Sequence, residues 1–172
     1  MASPTKTALI IIDMQNHFLP MTGLALPNII KLNNFFASHS LPRIFTQHGH
    51  SVAELTPPFR NQLVRKWGLD NSIATGSHSP VVAKNTYDAF LNTELDDVLR
   101  RGGVQRVVVC GVMTDCCCDT TARTAFNKGY ETWLVKDATG SANETQHKRG
   151  LAAFGFAFGD VVDTDEVVRR LC

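Results

Sequence analysis

A chain of 172 residues with 17 basic and 16 acidic side chains carries no charge excess to condense on nucleic acid or an anionic membrane, so a small molecule is the expected partner. No apolar run reaches the ~20 residues that cross a bilayer, and Asp13 interrupts the first one where a secretory leader would continue. The expected setting is therefore cytoplasmic. Five cysteines, odd in number and clustered, read as reduced thiols rather than as a disulfide framework, and the length suits one domain over residues 1–172.

Thr7 to Ile12 (TALIII) is an apolar run ending at Asp13, the pattern of a parallel strand buried on both faces. Asn28 to Ser38 after Pro27 predicts a helix, and Arg43 to Thr46 (RIFT) a short strand. The stretch from His48 to Ser79 reads as loops around a short helix near Phe59 to Trp67. Val81 to Ala83 predicts a third strand. Thr93 to Arg101 predicts a helix with acids early and bases late, stopped by Gly102 and Gly103.

Arg106 to Cys110 (RVVVC) predicts a central strand, Asp115 to Lys128 a helix closed by Gly129, and Thr132 to Val135 a further strand. A helix over Glu144 to Phe154, a strand over Asp160 to Val162 and a helix over Thr164 to Leu171 complete the pattern. Alternating strands and helices imply a three-layer αβα, Rossmann-like α/β fold, with a mostly parallel sheet and ligands at the carboxyl ends of its strands.

Cys116, Cys117 and Cys118 fall in the first turn of the predicted helix, where free backbone N–H groups and the helix dipole favour a thiolate. Helical spacing puts Cys118 with Thr121, Ala122, Ala125 and Phe126 on the core side. Cys116 falls on the polar face with Asp119 and Arg123, and Cys117 lies between the two. Successive helical residues diverge by about 100°, so the three do not converge on one metal ion. From pattern alone they are either small core residues or a nucleophile with two bystanders. The nucleophile reading needs partners, which Asp13 and Lys84, each just past a predicted strand, could supply.

Asp13 in LIIIDMQNHF, Lys84 in VVAKNTYDAF and the block CGVMTDCCCDTTARTAFNKGYETWLVKDA together resemble the isochorismatase-like cysteine hydrolases, over roughly Thr7 to Val162. That superfamily includes nicotinamidases, carbamoylsarcosine amidases and isochorismatases. The resemblance implies a Cys117–Asp13–Lys84 triad hydrolysing a C–N bond of a small amide through an acyl-thioester. It further implies a cis peptide between Val112 and Met113, an oxyanion hole from the N–H groups of Met113 and Cys117, no cofactor, and a homodimer or homotetramer. The alternatives are cleavage of the vinyl ether of isochorismate, which needs the acid but not the thiol, and a non-catalytic binding relative.

The chain departs from the family pattern in two places. Nicotinamidases bind a metal through an Asp and His residues after the second strand. The corresponding segment here is Gln47-His48-Gly49-His50, without an acid, so no metal is expected and Gln47 becomes a candidate substrate contact. The link before Lys84 is also shorter than usual. Phe18 and Trp67 are candidate pocket walls, while His147 is expected on a solvated helix face.

Overall fold

The computed structural model describes residues 5–50 and 80–172. β1 (Thr7–Ile12) is buried along its whole length because it has no polar position after Thr7 to turn toward water. It pairs in parallel with β2 (Arg43–His48) on one side and with β4 (Arg106–Val112) on the other. β3 (Val81–Lys84), β5 (Glu131–Gly140) and β6 (Asp160–Val162) complete an all-parallel sheet of order β3-β2-β1-β4-β5-β6.

Alternation along β1 sends Ala8, Ile10 and Ile12 to one face and Leu9 and Ile11 to the other. The first face packs against α2 (Leu95–Arg101) through Leu95 and Leu99, α3 (Asp119–Asn127) through Ala122 and Ala125, and α4 (Glu144–Ala157) through Phe154. The second packs against α1 (Leu26–Ser38) through Ile29, Leu32 and Phe36, and α5 (Thr164–Leu171) through Val167. This is the three-layer α/β arrangement expected from the sequence.

The strand order reverses between β1 and β4, and in open parallel sheets the crevice at such a reversal is where ligands bind. Gly111 marks the place: its φ is +112°, and a Cβ there would stand 2.2 Å from the Ile12 carbonyl oxygen. Only glycine lets β4 pass so close to the end of β1.

Three local features differ from expectation. β5 runs on to Gly140 because its pairing with β4 shifts register between Val109 and Gly111, which absorbs the polar pair Lys136 and Asp137 that ended the predicted strand. The helix expected from Asp115 begins instead as a π-helical turn, Thr114–Cys118, before α3, because the Cys118 N–H donates to the Met113 carbonyl five residues back, at 3.1 Å. Cys116, expected on the outer polar face, is half-buried against the cluster of Phe18, Val112 and Met113. The helix predicted near Phe59 to Trp67 lies outside the described residues.

Candidate active site

Asp13 leaves β1 with φ +48°, a left-handed conformation that costs most side chains about 1 kcal/mol but that Asp tolerates. The turn aims its carboxylate across the end of the sheet. The Thr46 hydroxyl, on β2, donates to Asp13 Oδ1 at 2.6 Å and accepts the Asp13 N–H at 3.1 Å. Lys84, the last residue of β3, places Nζ 2.6 Å from Asp13 Oδ2. Its three protons are shared between that carboxylate and three further acceptors, Cys117 Sγ at 3.4 Å, the Thr86 carbonyl at 3.0 Å and His48 Nδ1 at 3.1 Å. The residues singled out from three separated segments thus meet at the carboxyl edge of the sheet.

Lys84 can only donate, so His48 Nδ1 is the unprotonated ring nitrogen and Nε2 carries the proton, facing His50 Nε2 at 3.0 Å. Burial, the neighbouring Lys84 ammonium and His50 push the His48 pKa down to about 4, against the pull of Asp13. His48 is therefore a neutral acceptor at pH 7. Gln15 holds it in place from both sides, donating from Nε2 to the His48 carbonyl at 2.9 Å and accepting the His48 N–H at 2.8 Å.

Burial opposes the charge on Lys84, but Asp13 and Cys117 override it and hold the ammonium above its ordinary pKa. The Cys117 thiol is pushed well above its usual range by burial and then by Asp13, with Lys84 pulling the other way. Burial and the neighbouring Asp13 thus work against the thiolate preference expected from a helix N-terminus. Asp13, His48 and Cys117 offer donor atoms within 4.8 Å of one another, close enough to hold a metal ion. The Lys84 ammonium already contacts all three, which fills that position with a protein cation. In the segment after β2, His48 Nδ1 is engaged by Lys84 and Gln47 supplies no charge.

The peptide between Val112 and Met113 is cis. The amides of Cys116 and Cys118 both donate to the Met113 carbonyl at 3.1 Å, so that carbonyl engages the residues on either side of Cys117. Cys117 opens on a cavity of about 10 Å³ lined by Asp13, Phe18, His48, Tyr87, Val112 and Met113. Phe18 meets His48 edge to face, with ring centroids 6.4 Å apart. Gln47 does not line this space. It borders a second groove with Gly49, His50, Ala83, Lys84, Asn85 and Asn92. Trp67 lies outside the described residues.

Sequence reasoning missed Thr46, Gln15 and Tyr87, whose partners come from other elements and leave no local pattern. It also misplaced His147. That side chain is half-buried, and its Nδ1 lies 2.8 Å from the Thr114 hydroxyl at the head of the π turn.

A buried thiol, carboxylate and ammonium at the open end of a parallel sheet are the equipment of a hydrolytic enzyme. The chain belongs to the isochorismatase family, whose domain matches residues 7–166. It is 36% identical to nicotinamidase 3 of Arabidopsis thaliana over 95% of this chain and 88% of that protein. It is 27% identical to a ureidoacrylate amidohydrolase of Pseudomonas syringae pv. syringae, covering 95% of this chain and 82% of the relative. Among solved structures, a cysteine hydrolase from Pseudomonas syringae pv. phaseolicola superposes with a TM-score of 0.86 at 28% identity, over 99% of this chain and 94% of that one. Among the described residues no helix is long and apolar enough to cross a membrane.

Proposed function

We propose that this hydrolase cleaves the C–N bond of a small, uncharged amide, with Cys117 as nucleophile, Asp13 as general base and acid, and Lys84 as the fixed cation between them. The observation that carries the reading is the Lys84 ammonium, which joins the Asp13 carboxylate and the Cys117 sulfur out of contact with water. With the thiol protonated at rest, the proton leaves sulfur for Asp13 as sulfur attacks the carbonyl carbon. The N–H groups of Met113 and Cys117 receive the negative oxygen. Collapse breaks the C–N bond as Asp13 returns the proton to the leaving amine. Water, deprotonated by Asp13, then cleaves the thioester, and the proton goes back to the Cys117 sulfur.

The cavity favours this substrate class over isochorismate. Isochorismate carries two carboxylates, and none of the described side chains that line the cavity is positively charged, His48 being neutral. The one cation beside it among the described residues, the Lys84 ammonium, is already paired with Asp13, which leaves no second positive charge among the lining residues to meet a dianion. Cleavage of a vinyl ether nonetheless requires only the acid, so the two chemistries separate by mutation.

Turnover of nicotinamide, other small primary amides, ureido compounds and isochorismate should be compared across wild type, Cys117→Ala and Asp13→Asn. Amide hydrolysis lost in both variants is the expected result. Undiminished amide turnover by Cys117→Ala would remove the thioester mechanism, and turnover of isochorismate alone, dependent on Asp13 but not Cys117, would replace it with the vinyl-ether reaction. A folded wild-type protein inert toward the whole panel would point to a binding role.

A further inference from the structure

Thr114 is fully buried at the point where β4 passes into the π turn, between Met113 and the cysteines. Its hydroxyl has one proton, which it donates to the Gly140 carbonyl at the end of β5, at 3.0 Å. At the second contact, 2.8 Å to His147 Nδ1 on α4, the hydroxyl must therefore accept, and Nδ1 must carry the hydrogen. That donor persists whether the imidazole is neutral or protonated. The neighbouring residue is held from the same side: the Ser141 hydroxyl donates to Asp115 Oδ1. Gly150 lies one turn beyond His147 on α4, and a Cβ added to it would stand 2.9 Å from the Asp115 Cα. The helix thus touches the backbone of the turn directly. His147 does not line the cavity at Cys117. Its outer side borders a groove of about 430 Å³ with Met21, Thr22, Asn28 and Lys136.

We infer that His147 is a positioning residue, which through the Thr114 hydroxyl fixes the backbone of the Met113 to Cys117 turn and so aims the two N–H groups at the carbonyl oxygen of the substrate. The inference rests on the proposed amide hydrolysis. A donor fixed at Thr114 removes one rotation from the residue next to the Met113 amide, and small errors in aim there act on the transition state more than on ground-state binding.

The test compares wild type, His147→Leu, His147→Asn, Thr114→Val and the Thr114→Val/His147→Leu pair. It uses the best amide of the panel and, independently of leaving-group protonation, the acylation burst with 4-nitrophenyl acetate. His147→Leu should lower kcat and the burst rate about tenfold with KM and iodoacetamide labelling of Cys117 within about twofold of wild type. His147→Asn, which keeps an N–H donor, should recover most of the loss, and the pair should be no slower than Thr114→Val alone. The fractional loss in His147→Leu should be the same from pH 5.5 to about pH 8, although burial lowers the His147 pKa and Asp115, Glu144 and Lys148 surround it. Unchanged kcat and burst in a folded His147→Leu protein, with only a lower Tm, would overturn the inference and leave the amide reading intact. Failure of wild type to acylate Cys117 with any probe would sink the amide reading and the inference with it.

Discussion

The Lys84 ammonium lies 2.6 Å from the Asp13 carboxylate with both side chains shut off from water. A pair in that setting is more expensive to break than to replace, because removing one partner leaves the other charged and buried. Lys84→Met should therefore destabilise the protein by about 3 kcal/mol in urea unfolding. Adding Asp13→Asn should restore part of that loss, since Asn suits the left-handed backbone at position 13 and carries no charge. A double variant whose loss equals the sum of the separate Lys84→Met and Asp13→Asn losses would show that the two side chains are not energetically coupled.

Cys117 and Cys118 are neighbours in sequence with different work. Cys118 is fully buried among Ala122, Ala125 and the β1 side chains, so Cys118→Ala should keep activity and cost about 1 kcal/mol through a small cavity. Cys117→Ala should lose amide turnover with less effect on unfolding. Parallel measurement of turnover and urea midpoint for the two variants checks the assignment.

Iodoacetamide should reach exposed Cys172 first, half-buried Cys116 next and Cys117 third at pH 7, ahead of the fully buried Cys110 and Cys118. Because the Cys117 pKa is raised, its thiolate fraction and labelling rate should climb about tenfold per pH unit above neutrality. Mass spectrometry of timed samples gives the order. Preferred labelling of Cys117 at pH 7 would mean that the resting site holds a thiolate after all.

His48 gives stability a specific acid dependence. Its pKa is depressed in the folded protein, so below the ordinary value of 6.5 the unfolded chain gains a proton that the native chain refuses until about 4. Stability should fall as pH drops through that window and then level off, by up to about 3 kcal/mol in all. His48→Gln keeps an acceptor for Lys84 without a titrating ring and should flatten the decline. A slope unchanged in that variant would assign the loss to other groups.

The parts of this arrangement that could be read in the sequence share a property. Thr7–Ile12 announces itself because burial on both faces requires a run of apolar residues, and Asp13 stands out by ending it. The resemblance then joined Asp13 to Lys84 and Cys117. What stayed hidden depends on contacts between distant elements. Thr46 is one more residue of a strand until β2 is laid beside β1, and His147 looks like any polar helix position until β5 and α4 bring it under Thr114. The π turn rests on the hydrogen bond from Cys118 to Met113, and no periodicity in the residues announces it. The environment of Cys117 is legible only in part for a related reason: the helix dipole can be read locally, whereas burial beside Asp13 depends on the whole fold.

The space beside Cys117, about 10 Å³, is about one water molecule in size. On the proposed mechanism this bears on what ends the reaction as much as on what begins it. A thioester is attacked more readily by amines than by water, so an acyl-enzyme in an open cleft would pass its acyl group to whatever amine was abundant nearby. Among the described residues the room beside Cys117 is narrow, so an acyl group seated there would leave space for the smallest nucleophile first. Fate is then decided by size rather than by intrinsic reactivity, and the same fold with a wider chamber would drift from hydrolysis toward acyl transfer.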